Sequence, residues 1–127
     1  LYEMISKTYS CSELEFYTKF FEILNIVQSN PDNKLTKSEI QILSHFLLIK
    51  GTFRELKFKT KEQLIVKDKL QVTLQNIRTT LTNLKNKNYI QVQDDIYYLH
   101  PGIESYFKKA LESRNFTIAI NFKIENE

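Results

Sequence analysis

Residues 60–100, TKEQLIVKDKLQVTLQNIRTTLTNLKNKNYIQVQDDIYYLH, decide how this chain is read. Two short blocks with helical spacing flank a tight break at Gln71, Val72 and Thr73. In the second block Leu74, Ile77, Leu81 and Leu84 recur at helical intervals, so one face is apolar. The opposite face carries Gln75, Asn76, Thr79, Thr82, Asn83 and Asn86, with Arg78 and Lys85 on its flank. Thr73 suits the N-cap, where a hydroxyl accepts from an otherwise unpaired amide of the first turn. An apolar exit, Tyr89-Ile90, leads into two short runs, QVQ and IYYL, with Asp94-Asp95 between them and Pro101 after them. That order predicts a helix, a turn, a second helix and a β-hairpin, a unit that presents one helix face outward.

Upstream, Thr60 with Gln63 reads as a capping box for the first of these helices, with Leu64, Ile65 and Leu70 as its buried contacts. Residues 53–58, FRELKF, alternate apolar and charged and predict a short strand. Thr36 with Glu39 is a second box, opening a helix that runs to about Lys50 and stops at Gly51. Ile40, Leu43, Phe46 and Leu47 make its core stripe, and His45 projects on the other side with Gln41 as an isolated exposed side chain. Ser12 with Glu15 opens a helix over residues 13–28. Its apolar positions fall on two faces: Leu14, Tyr17, Phe21 and Leu24 on one, Phe16, Phe20, Ile23 and Val27 on the other. Such a helix needs cover on more than one side, either deep in the domain or at a subunit interface.

Residues 1–10 have no clear period and read as an arm or a strand. Pro101 fits the first turn of a last helix over residues 101–113. Phe116, Ile118, Ile120, Phe122 and Ile124 then alternate with polar or small residues, the sharpest strand signal in the chain. A strand of that length needs a partner: residues 1–10, the hairpin or another subunit. Phe16, Phe20 and Ile23 at one end, with Ile118 and Ile120 at the other, are the expected oligomer contacts.

The chain has 127 residues, enough for one domain burying about two-thirds of its unfolded surface. We divide it into an N-terminal arm and helix (1–34), a core (35–100) and a C-terminal helix and strand (101–127). Only two Gly and two Pro argue against a sandwich or barrel with many tight turns. The single Cys11 excludes an intramolecular disulfide and points to a reducing compartment. No apolar run reaches the ~20 residues that span a bilayer, and no signal-peptide layout is visible, so a cytoplasmic protein without a membrane partner is expected. The chain begins at Leu1, which leaves room for an initiator Met or a longer N-terminus. Lys far exceeds Arg, and Asn and Ile abound, a usage that goes with the A/T-rich codons of a low-GC bacterium or a phage.

Charge is unevenly spread. The whole chain is +3, yet residues 50–88 carry ten Lys/Arg against three Asp/Glu. Positive charge gathered around the two-helix unit is the footprint of a nucleic-acid surface. Motifs for chemistry are missing by contrast. There is no Gly-rich phosphate loop, no Cys or His pair at metal-ligand spacing and no Gly-flanked nucleophile. Glu13 and Glu15 are explained by capping and Asp94-Asp95 by a turn. The expectation is a protein that is not an enzyme and needs no cofactor or metal.

With these elements in order, residues 35–100 resemble a winged helix-turn-helix domain of the prokaryotic or phage regulator type. The segments that carry the resemblance are LTKSEIQILSHFLLI, KEQLIVKDKL, VTLQNIRTTLTNLKNKNYI and the hairpin ending IYYLHP. The resemblance implies a mainly α fold with a small β wing, to which this chain adds an N-terminal helix and a C-terminal β-strand. It also implies that the strand at residues 53–58 pairs with the wing, that helix 74–87 enters the DNA major groove, and that the wing touches backbone or minor groove. Carried over, Gln75, Asn76 and Thr79 lie nearest base edges, with Asn83 on the same face, and Asn and Gln suit adenine. Thr73, Arg78, Lys85 and Lys87 become phosphate contacts, and Lys59, Lys61, Lys67 and Lys69 add to the field.

Two departures mark this chain. The centre of the presented face has no Arg or Lys, and the wing turn is acidic. The resemblance and the local basic charge make the expected function a double-stranded-DNA-binding transcriptional regulator working as a homodimer, whereas the two departures favour a different use of the fold. The alternative is a non-enzymatic structural or interaction subunit, for example of a phage particle or virion, that uses the fold for protein contacts.

Overall fold

The computed structural model describes residues 10–49, 57–115 and 123–125. Ser12 opens α1 (Glu13–Val27), its hydroxyl oxygen accepting from the Glu15 N–H at 3.2 Å and its proton donated to the Glu15 carboxylate at 3.1 Å. A single 3-10 turn at Pro31–Asn33 leads to α2 (Lys37–Ile49). Here the capping box is fully reciprocal. Thr36 Oγ1 accepts from the Glu39 N–H at 3.2 Å, and Glu39 Oε1 accepts from the Thr36 N–H at 2.7 Å. Strand β1 (Lys57–Phe58), α3 (Thr60–Leu70), α4 (Leu74–Asn86), β2 (Ile90–Gln93), β3 (Ile96–Leu99) and α5 (Pro101–Ser113) follow. The molecule is mainly α, with a small antiparallel sheet in the order β1-β3-β2.

Sheet register sorts the side chains. Ile90 pairs with Leu99 and Val92 with Tyr97, while Phe58 also pairs with Tyr97. These positions share the face toward the core, where Phe58, Ile90 and Leu99 are buried. Gln91 and Gln93 alternate to the outer face. The hairpin closes through Asp94 and Asp95, both at positive φ (52° and 60°), the requirement of a two-residue type I′ turn. Pro101 begins α5 as the sequence predicts, and His100 caps it by accepting from the Gly102 N–H at 3.1 Å.

Helix α2 is the centre of the core, with Ile40, Ile42, Leu43, Phe46 and Leu47 all buried. One apolar cluster joins it to α1, α4, the sheet and α5. Phe107 of α5 is fully buried among Tyr17, Phe20 and Phe21 of α1, with ring centroids 5.3, 5.3 and 6.0 Å away. Burial and the nearby Glu13 carboxylate, which accepts from its hydroxyl, push the Tyr17 phenol up from its ordinary value.

Five expectations need correction. Phe20 is only 6% exposed, covered by α5 of its own chain, so it cannot serve an oligomer interface. Phe16 is half-buried against the core and Ile23 is half-buried. Thr60 is the first residue of α3, whose N-cap Lys59 makes no side-chain cap bond, so the Thr60–Gln63 box does not form. Leu64 is 45% exposed and Ile65 half-buried, while Val66 is fully buried and Gln63 buried. A contiguous LIV triplet leaves helix phase undetermined by pattern alone, and tertiary contact decides it. His45 is half-buried rather than exposed. Of the strand expected over residues 116–124, residues 116–122 lie outside the described residues, and only its end is corrected: Lys123 and Ile124 are in no strand and Ile124 is 91% exposed. The arm at residues 1–9, residues 53–56 of the expected strand, Gly51, and Ile118 and Ile120 lie outside the described residues.

Candidate nucleic-acid interface

Helix α3 stops abruptly. Gln71 adopts the left-handed conformation (φ 53°, ψ 45°), and the Val72 N–H returns to the Lys67 carbonyl at 3.2 Å. Thr73 then caps α4, its Oγ1 accepting from the Asn76 N–H at 3.0 Å. Three residues thus turn the chain between the two helices. Ile77, Leu81 and Leu84 are fully buried and hold α4 on the core, with Thr80 buried beside them. Everything opposite is exposed: Gln75, Asn76, Thr79, Thr82, Asn83 and Asn86.

This face is polar and internally ordered. The Gln75 amide donates to Thr79 Oγ1 at 3.3 Å, and the Thr82 hydroxyl donates back to the Arg78 carbonyl at 3.1 Å. Arg78 and Lys85 flank it, exposed and with no ion pair among the described residues. Thr73 uses its oxygen for the cap and keeps its hydroxyl proton to donate. Gln75, Asn76, Thr79, Asn83, Arg78 and Lys85 therefore come together on one helix surface with Thr73 at its start.

Lys87 does not join them. Its ammonium lies 2.6 Å from Glu39 Oε1, with the two side chains only 20% and 6% exposed. It is a half-buried partner of Glu39 in α2, and its assignment as a phosphate contact is corrected. The α3 lysines are also divided. Lys59 and Lys61 are exposed near the start of that helix, and Lys67 pairs with Asp68 at 3.3 Å. Lys69, about 200° around the helix from Lys67, acts electrostatically on His45 of α2. Burial, and then the Lys69 charge, hold the His45 pKa below its ordinary value.

An open cleft of about 580 Å³ continues the presented surface past the end of α4. Lys85, Asn88, Gln91, Gln93, Tyr98 and Glu104 line it. Gln91 and Gln93, not among the expected site residues, carry a signal in the Gln-Val-Gln alternation that marks the hairpin's outer face, whereas Asn88, at φ 65° before the strand, has no such pattern. Asp94 and Asp95 stand exposed at the tip.

Among the described residues no group of three or more His, Cys, Asp or Glu is disposed to hold a metal, and no helix is long and apolar enough to cross a membrane. No family model, curated protein or solved structure matches the chain.

Proposed function

We propose that this chain is a winged-helix DNA-binding protein, a transcriptional regulator that reads the major groove with α4. The observation that carries the reading is the exposed amide and hydroxyl face of α4, flanked by the exposed Arg78 and Lys85. Amide side chains offer a donor and an acceptor together, the pair that adenine presents in the major groove. The flanking cations supply phosphate attraction that positions without specifying. Lys59 and Lys61, exposed before α4 in the chain, add to the same field. A single α4 reads few base pairs, so the regulator works as a dimer on two half-sites. The half-buried Ile23 and the exposed Ile26 and Val27 are apolar α1 side chains open to a second copy.

The exposed Asp94-Asp95 tip favours a second reading, in which the hairpin docks on a protein and the chain is an interaction subunit of an assembly. Fluorescence anisotropy with labelled duplexes separates the two. Under the regulator reading, Arg78→Ala and Lys85→Ala each weaken binding by a similar factor on every sequence. Asn76→Ala instead relaxes preference at one position and costs ~1–3 kcal/mol on the preferred site. Duplex affinity indifferent to all three substitutions contradicts the reading.

A further inference from the structure

Polar groups from three helices meet where α4 ends. Glu39 Oε1, near the start of α2, accepts from the Lys87 ammonium at 2.6 Å and from the Thr36 N–H at 2.7 Å. Tyr89 is buried nearby, with the side chain of Gln28, the C-cap of α1, close to its hydroxyl. Its backbone is engaged on both sides. The Tyr89 N–H donates to the Leu84 carbonyl at 3.0 Å, and its carbonyl accepts from the His100 N–H at 2.8 Å. The end of α1, the start of α2, the exit of α4 and the entry to α5 are thus joined at one point.

The apolar stripe of Ile77, Leu81 and Leu84 holds α4 on the core, but apolar contact is non-directional. It resists separation more than rotation about the helix axis. A buried, hydrogen-bonded ion pair is directional and tolerates little displacement. Rotating α4 by roughly 10° would carry a side-chain tip ~6 Å from the axis through about 1 Å, enough to spoil a bidentate amide contact. We infer that Glu39 and Lys87 are positioning residues, a clip that sets the rotational register of the presented face of α4. What that face is presented to rests on the DNA-binding reading; the clip itself does not.

Four variants test this: Glu39→Gln, which keeps an acceptor for the Thr36 amide, Lys87→Met, the double variant and Lys87→Arg. Lys87→Met leaves the buried Glu39 carboxylate unpaired and is expected to lower the thermal midpoint by roughly 10 °C; Glu39→Gln, which leaves the half-buried Lys87 ammonium, is expected to lower it by less. The double variant is expected to lose clearly less than the sum. Amide exchange over residues 83–89 should accelerate in the singles and recover in Lys87→Arg. On duplex DNA, Lys87→Met should reduce discrimination between preferred and random sequence about tenfold while the salt slope stays at the wild-type value. Lys87→Arg should restore discrimination. Additive midpoints overturn the clip, and so does a salt slope smaller by about 0.9 with discrimination intact, which marks Lys87 as a phosphate contact. A wild-type chain that binds no duplex ends the DNA-binding reading alone, and midpoints and amide exchange still decide the clip.

Discussion

Lys85 and Lys87 lie two residues apart and face different surroundings, one open to water and one against Glu39. The distinction was available from the sequence. At about 100° per residue, Lys87 falls close to Thr80 on the edge of the buried side, whereas Lys85 falls close to Arg78. Charge type alone had grouped the two lysines; angular position separates them. His45 shows the opposite limit: it is half-buried and lies within the field of Lys69 of α3, and no local pattern reports a charge from another helix. Its pKa is lowered from 6.5 in the folded chain, so protonation favours the unfolded state. Above pH 6.5 both states hold a neutral ring and the fold keeps its full stability. As pH falls below 6.5 the unfolded chain binds the proton first, and stability declines until the folded pKa is passed. Urea midpoints measured from pH 8 to pH 5 should therefore fall for wild type, and the fall should be shallower in His45→Gln. An identical pH dependence in the two proteins would show that His45 contributes nothing.

Element boundaries at Ser12, Thr36, Thr73 and Pro101 were legible because each rests on a local bond between near neighbours in the sequence. The start of α3 was not, since Thr60 and Gln63 match a capping box that the chain does not make, and Gln63 is taken into the interior instead. The hairpin turn is legible in position, but its acidic tip bears two meanings. Asp94 and Asp95 hold left-handed φ values that Asn and Gly adopt with less strain. Replacing them with Asn-Gly should raise stability by about 0.5–1 kcal/mol in chemical denaturation. Under the regulator reading it also removes two negative charges near phosphate, so duplex affinity at low salt should rise. A gain in stability with unchanged affinity would place the tip away from DNA and favour the protein-docking alternative.

At the scale of the whole molecule, the first and last described helices, α1 and α5, close on one another through aromatic rings. Phe107 is fully buried against three rings of α1. Phe107→Ala should cost about 3–5 kcal/mol in the denaturation midpoint. Phe20→Glu should unfold the chain, while Phe16→Glu, at a half-buried position, should leave it folded. Folded Phe20→Glu protein would contradict this account of the core. The two faces of α1 were visible in the sequence, but which face α5 covers depends on contacts about 90 residues apart, which no periodicity encodes. Charge follows the same rule. The basic excess of residues 50–88 was countable, yet the fold commits Lys87 to Glu39 and Lys67 to Asp68, leaving Arg78 and Lys85 beside the presented face. The most direct measurement is the salt dependence of binding to random duplex DNA. If Arg78, Lys85, Lys59 and Lys61 neutralise phosphates, log affinity should fall with log salt at a slope of about −3 or steeper, near 0.9 per contact. No binding at low salt, or a slope near zero, would contradict a nucleic-acid surface on α4.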